Sequence, residues 1–500
     1  MIRNVKSFKI VGTEAVTIHV ETEISNGIGI HLVGLPDVAM KKSLLRTVTA
    51  LQAMGFRIPG KKIVINLAPA DLYKSGNEYD LPVALGIIAA SGQKELGHLE
   101  EFVVAGELGL DGTVRTVPGA IQAAELAKKE GLKLLLPTED AKYAAEVFAG
   151  EVEIYAVDTL LSAIDAVSSS GTDTVEAECR ERSEEPGIWD NLKGHYAEKR
   201  GLEIAAAGGH PVFMAGVPGS EKSLLAKALS EILPPMSKEE NMEVLRVYSA
   251  TGRYAVPGMR PFRAPHPYVS MPALFGGGSG ENIMPGEVSL AHNGILFMDD
   301  FAEMPKNPKE ALRGPMEDGG ITIARLHSKV HYPTKFLPVF ASHLCPCGWY
   351  GEGDRCTCTE EQRKAYLARL SGPVMDRMTM QLWVQPPYGG TVATEPRSAV
   401  AERVAAARAA QKERYRDEPF ETNDGLDAKS ADKYCRLDED TRNLMERLVT
   451  GLGLSARAYL RILKMARTIA DLAGSEEIAP AHVAEAASYR FLDRIGTISK

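Results

Sequence analysis

Cysteine is scarce in this chain and tryptophan scarcer, with six and three copies among 500 residues. So few cysteines exclude the disulfide framework of a small secreted domain. Long apolar runs are missing as well. The clearest candidate, LPVALGIIAASG at 81–92, holds about a dozen residues where a bilayer crossing needs ~20, so it reads as a buried helix. The opening MIRNVKSFKIVGTEAV carries charge and no apolar stretch of signal-peptide length. Nor is there a basic excess, since 57 Lys and Arg stand against 66 Asp and Glu for a formal net charge of −9. That balance excludes a surface that is basic all over and leaves room for a local basic strip. Together these absences point to a cytoplasmic protein without a membrane partner.

Five hundred residues exceed what one hydrophobic core usually serves, so several domains are expected. Residues 1–165 alternate β-rich runs (FKIVG, AVTIHVETEIS, GIGIHLVG, KKIVINLAP, EFVVAGELG, LKLLLP) with helical periodicity in VAMKKSLLRTVTALQAMG, LPVALGIIAASG and GAIQAAELAKKEG. This is a mixed α/β domain. Residues 166–188, rich in Ser, Gly and charge, form a linker, and Cys179 within it receives no role. Residues 189–390 carry three apolar strand candidates, PVFMAG, GILFMDD and FLPVFAS, each ending beside polar residues as open α/β sheets place their sites. Residues 391–500 are almost wholly helical in pattern, a helical lid following a nucleotide-binding α/β domain.

The stretch FMAGVPGSEKSL at 213–224 is a P-loop with one flaw. The pattern G-x-x-x-x-G-K-[ST] asks for a second glycine where Glu221 stands, while Gly216, Lys222 and Ser223 are in register. A strand before the loop and a helix after it give the right context. Loop amides around Gly219 and Ser220 would cradle phosphate, Lys222 would reach the β- and γ-phosphates of ATP, and Ser223 would hold Mg²⁺. A Gly/Pro turn with one exposed lysine is the bland alternative. GILFMDD then offers Asp299 for Mg²⁺ and Asp300 near an attacking water, or simply two acids at a strand end.

The motifs SGNEYDLPVALGIIAASGQ, GLEIAAAGGHP, PFRAPH, PGEVSLAHNGILFMDD, PMEDG, CPCG, LSGPVMDR and ARTIADLAG, spread over nearly the whole chain, resemble the bacterial magnesium-chelatase-like AAA+ ATPases, the group that includes a competence-associated branch-migration helicase. The resemblance implies an α/β fold in three parts: an N-terminal domain like that of ribosomal S5 and Lon, a central AAA+ P-loop ATPase domain, and a C-terminal helical lid. It also implies a homo-oligomer, a hexameric ring acting on single-stranded or branched DNA. Gly216, Gly219, Lys222 and Ser223 fall on Walker A, Asp299 and Asp300 on Walker B. Arg377 falls on the arginine finger that completes a neighbour's site, and Arg457 on the sensor 2 arginine of the lid. Read without the family, either arginine is equally a salt-bridged surface residue. The chlorophyll-pathway chelatase subunit shares the ATPase core but not the leading domain, which argues against chelatase chemistry.

Three positions depart from the family pattern: Glu221 for glycine, Asp300 for the Walker B glutamate, and His343 for the sensor 1 asparagine. A carboxylate at 221 is expected to point toward the triphosphate and repel it, and to crowd a backbone that must come close. Asp300 is one methylene short of its water. Nucleotide binding is expected to survive, with hydrolysis slow or absent. Two readings follow: a DNA-associated ATPase with weakened hydrolysis, or a non-hydrolysing scaffold that partners an intact paralogue.

CPCGWYGEGDRCTC supplies Cys345, Cys347, Cys356 and Cys358 as two C-x-C pairs with eight residues between them. Four thiolates suit a structural, tetrahedral Zn²⁺; a metal-free loop or two disulfides remain open. Residues 319–336 read as a hairpin whose Arg325, His327, Lys329, His331 and Lys335 make a mildly basic edge. By resemblance it faces a pore where DNA passes; alone, it is a routine solvated hairpin. No serine–lysine pair in the first domain has a catalytic context, Ser43 and Lys61 included, so that domain is expected to bind or assemble.

Overall fold

The computed structural model describes residues 2–35, 38–74, 76–168, 174–176, 187–279, 282–325, 328–386 and 395–493. Most of the expected linker, with Cys179, lies outside the described residues, as does His327.

Alternation builds the first sheet. In the strand Lys62–Ala68 every second side chain (Ile63, Ile65, Leu67) is buried, the period that a pleated strand imposes. Seven strands assemble in the order Ile30–Val33, Lys62–Ala68, Glu14–Ser25, Arg3–Val11, Phe102–Val104, Lys133–Pro137, Ile154–Val157. Helices cover both faces. Val38–Ala53 and Asp80–Ser91 share one apolar cluster with Ile18, Val20 and Ile65. Ala120–Glu130 and Thr138–Phe148 share another with Phe8, Val103 and Leu134. Asp80–Ser91 is buried along its first nine residues, which accounts for an apolar run that shows no polar face. Ser43 donates to the buried Asp80, which also takes Arg46 Nε at 2.9 Å, so the serine is structural and Lys61 plays no part with it.

The second sheet is parallel, in the order Phe262–Arg263, Ile295–Met298, Leu337–Ser342, Val212–Gly216, Met380–Val384. Three of these strands match the sequence expectation. Met380–Val384, an apolar β-type run in MTMQLWV, was legible but falls outside it. The loop strand Val212–Gly216 lies inside the sheet between Leu337–Ser342 and Met380–Val384 and is wholly buried, so the C-terminal ends of its neighbours lie beside its own end. The basic-edged hairpin forms from Gly320–Arg325 and Ser328–Pro333. It packs on a second, unforeseen hairpin, Gly276–Ser279 with Asn282–Pro285, through Ile283, Ile323 and Tyr332.

The C-terminal region is helical: Arg397–Arg414, Ala428–Tyr434, Glu439–Leu452, Ala456–Leu472 and Pro480–Ser488. Its Val404, Ile462 and Ala466 join Leu202, Val212 and Met214 in one continuous core. The N-terminal and ATPase regions also dock directly. Arg246 forks onto Glu125 (Nε–Oε2 2.8 Å), Ser249 Oγ accepts from Ile121 N at 3.1 Å, and Tyr254 donates to the buried Asp140 at 2.7 Å. Among the described residues no helix is long and apolar enough to cross a membrane.

Candidate nucleotide site and cysteine cluster

The loop between Val212–Gly216 and the helix Lys222–Ile232 is shaped by its glycines. A Cβ on Gly216 would lie 2.3 Å from the Val384 carbonyl, and Gly219 has φ +79°. Ser220 is fully buried and its hydroxyl donates to Val217 O at 2.8 Å. That side chain closes the turn and is not free for phosphate. Lys222 Nζ curls back to the carbonyls of Gly216 and Val217, 3.0 Å each. Burial lowers its pKa, opposed by the nearby charges of Asp299 and Asp300. The ammonium thus already rests where loop and acids meet, and it can exchange two carbonyls for phosphate oxygens.

Ser223 Oγ donates to Asp299 Oδ2 at 2.9 Å. These are the two side chains that would hold a divalent cation; hydroxyl and carboxylate oxygens are hard donors of the kind Mg²⁺ takes. Asp300 follows in the left-handed region at φ +45°, its side chain half exposed. His343 Nδ1 lies 2.8 Å from Gly216 O, so the network assigns that nitrogen the proton. Its Nε2 is 3.7 Å from Asp300 Oδ1. The ring therefore ties the loop strand to the acid, and only Nε2 remains for a phosphate or water. An asparagine would present an amide donor there; His343, with the Nδ1 proton spent on Gly216 O, does not offer that donor.

The structure gives Glu221 a different place from the one expected. It occupies the second-glycine position at φ +61°, but its carboxylate Oε2 is 3.1 Å from His195 Nε2. Nothing in the loop's own pattern signals His195, which lies 26 residues upstream.

Arg377 and Arg457 are not brought to this loop. Both line a cavity of ≈ 600 Å³ together with Arg313, Arg461 and Lys464. Pro211, Pro338 and Thr379, which also line it, immediately precede or begin three parallel strands, whereas Gly216, Asp299 and His343 stand at or just past C-terminal ends. The cavity thus opens at the sheet edge opposite the loop, about 16 Å away for a five-residue strand. Arg457 Nη1 meets Asp376 Oδ2 at 2.6 Å and Arg377 meets Glu317. Among the described residues, Arg377 Nε is buried without a hydrogen-bond partner. Burial and the neighbouring Arg313 and Arg457 lower the Arg377 pKa; burial, with Arg490 nearby, brings Arg461 down to about 10. Arginines so crowded call for an anion. The helical region docks behind the sheet, because its apolar faces pack on Tyr196–Gly208, and this sets Arg457 at the end opposite the loop of its own subunit.

Cys345, Cys347, Cys356 and Cys358 converge with all four sulfurs within 4.8 Å of one another. The Cys345–Cys347 separation is 3.4 Å, and Cys356 lies 3.8 Å from each. A tetrahedron of 2.3 Å Zn–S bonds has edges of ~3.8 Å, so the donor set fits zinc. The Trp349 backbone amide brings the Cys347 thiol down to about 6, favouring thiolate. The knuckle abuts the nucleotide loop: a Cβ on Gly348 would touch Pro218 at 3.2 Å and His343 at 3.6 Å.

Residues 189–391 match a family model described as magnesium chelatase, subunit ChlI; residues 20–140 match one described as subunit ChlI of Mg-chelatase, and 394–490 its C-terminal model. Similar proteins include the uncharacterized YifB of Salmonella typhimurium, 40% identical over 497 residues (97% of this chain, 96% of the relative). YifB of Escherichia coli is 39% identical over 500 residues, with the same coverage. Competence protein ComM of Haemophilus influenzae is 37% identical over 512 residues, again covering 97% and 96%.

Proposed function

This chain belongs to the magnesium-chelatase-like AAA+ ATPase family, and we propose that it is a cytoplasmic, ring-forming Mg-ATP-binding protein that acts on DNA with weakened hydrolysis. The observation that carries the reading is the 2.9 Å contact of Ser223 with Asp299 beside the buried Lys222. Lys222 and the loop amides hold the triphosphate. Ser223 and Asp299 hold Mg²⁺, which when bound neutralises phosphate charge. Asp300 and His343 face the γ-phosphate side.

The arginines on the opposite edge supply the argument for a ring. A subunit that stacks its Arg377 and Arg457 against the next subunit's loop makes a heterologous contact, which forms a ring where the rotation between neighbours closes. Both arginines then act in trans. The DNA partner is carried by the family resemblance alone, with the hairpin around Arg325 and Lys329 as the contacting element. Zinc at the four cysteines is structural.

A second reading, a non-hydrolysing ring component, is favoured by one observation: His343 Nδ1 is committed to Gly216 O, so this side chain does not offer that N–H to the γ-phosphate as an asparagine amide would. Calorimetric titration with Mg-ATP, mass measurement in solution and phosphate release decide between them. Binding and assembly without release select the second reading. No binding at millimolar Mg-ATP rejects both.

A further inference from the structure

A glutamate in place of the loop's second glycine raises two problems, charge beside phosphate and a Cβ at positive φ. The structure answers the first through a residue on another element. Glu221 stands at the N-cap position of the helix Lys222–Ile232 at φ +61°, ψ +24°, with no side-chain cap bond, a left-handed conformation that a non-glycine residue adopts at a cost. Its own carbonyl accepts from Leu224 N and Leu225 N, both at 3.0 Å, so the backbone is held while the side chain reaches His195.

His195 receives that side chain. Its ring is 1% exposed and lies between two carboxylates, with Nε2 3.1 Å from Glu221 Oε2 and Nδ1 3.7 Å from Glu198 Oε2. Glu198 is anchored in turn, accepting from Gln385 N at 3.2 Å. The backbone at His195 is itself left-handed, φ +55°, and its carbonyl accepts from Lys199 N at 2.8 Å. Lys199 Nζ then donates to Trp189 O and Leu192 O at 2.8 and 2.6 Å. The histidine is a fixed post. Hydrogen bonding to Glu198, with a further contribution from Glu221, raises its pKa against the effect of burial, which favours a cation between the two acids.

We infer that His195 is a positioning residue for the nucleotide loop: it draws the Glu221 carboxylate out of the phosphate seat, so that the two residues act as one unit. The glutamate is then an accommodated substitution and not the lesion that the loop sequence suggests. This rests on the nucleotide-binding reading and adds to it which residue keeps the seat open.

The test is a double-mutant cycle on Mg-ATP and Mg-ADP affinity, measured by calorimetry in the full chain. His195→Asn is the informative variant, since asparagine tolerates the left-handed backbone yet cannot carry the charge. It is expected to weaken Mg-ATP binding about tenfold or more, with the freed carboxylate repelling phosphate. Glu221→Gly in the wild-type background is expected to change affinity by less than about threefold, and in the His195→Asn background to restore it. A merely structural role for His195 would not be rescued by removing a carboxylate. Equal affinities for wild type and His195→Asn, or a loss that Glu221→Gly fails to rescue, overturn the inference. Wild type that binds neither nucleotide overturns the underlying reading, and the inference with it. Melting temperature read on every variant separates unfolding from loss of the seat. Should His195→Asn fail to fold, Glu221→Gly alone decides, because a gain of about tenfold would mean that the carboxylate still occupies the seat.

Discussion

Lys222→Ala in one preparation and Arg377→Ala in another should each abolish turnover, and mixing the two should restore part of it. The expectation comes from the placement of the groups. The loop ends one edge of the central sheet, and the Arg377–Arg457 cavity opens at the other. A strand of five residues separates them by ~16 Å, too far for one subunit's arginine to touch its own nucleotide. Each working site would therefore draw its lysine from one subunit and its arginines from the next. In a randomly mixed ring with equal amounts of the two variants, roughly one contact in four pairs an intact loop with intact arginines. Phosphate release should recover to about a quarter of the wild-type rate per subunit, against single-variant losses on the order of 10³ for a missing arginine finger. The assay is phosphate release with enzyme in excess, over hours if turnover is slow, across a series of mixing ratios. A double variant carrying both changes, mixed in the same way with Lys222→Ala, should give nothing. A mixture no faster than the mean of its components would refute the opposite-edge argument and return Arg377 to the role of a partner for Glu317.

Asp300→Glu combined with His343→Asn should raise phosphate release about tenfold or more beyond the product of the two single effects, because Asp300 and His343 face one another and act on one transition state; purely multiplicative single effects would count against a shared site. Protein purified under reducing conditions should carry about one zinc per subunit, lost when Cys345 and Cys358 are both replaced by serine, with weaker Mg-ATP binding because the knuckle seats Pro218 and His343; elemental analysis that finds no zinc in the wild type rejects the metal. Asp140, lifted to about 6 by burial at the contact with Tyr254, should contribute stability that is full below the unfolded carboxyl range near pH 4 and lost as pH rises through about 6, a difference on the order of 3 kcal/mol. Melting curves of wild type and Asp140→Asn between pH 4 and 8 read this directly, and parallel profiles for the two would refute it.

Periodicity and composition carried most of the local structure. Strand alternation in KIVINLA, the apolar run of GILFMDD and the glycines around Lys222 are properties of short segments, so the chain order alone exposes them. Spacing likewise exposed the four cysteines, since two C-x-C pairs near one another leave the chain few ways to keep the sulfurs apart. The strand Met380–Val384 carries the same kind of signal in its apolar MQLWV run. What the sequence could not contain was direction. Glu221 beside Lys222 reads as a charge aimed at phosphate, yet the backbone at φ +61° turns it to His195 on another element. The place of Arg457 is not legible in the pattern of its helix either: the helix buries its apolar face behind the sheet and carries Arg457 to the opposite edge. Local pattern determined which groups this protein possesses. Packing of the apolar faces in three dimensions decided which of them meet, because burial is satisfied only by the whole core and not by any one segment.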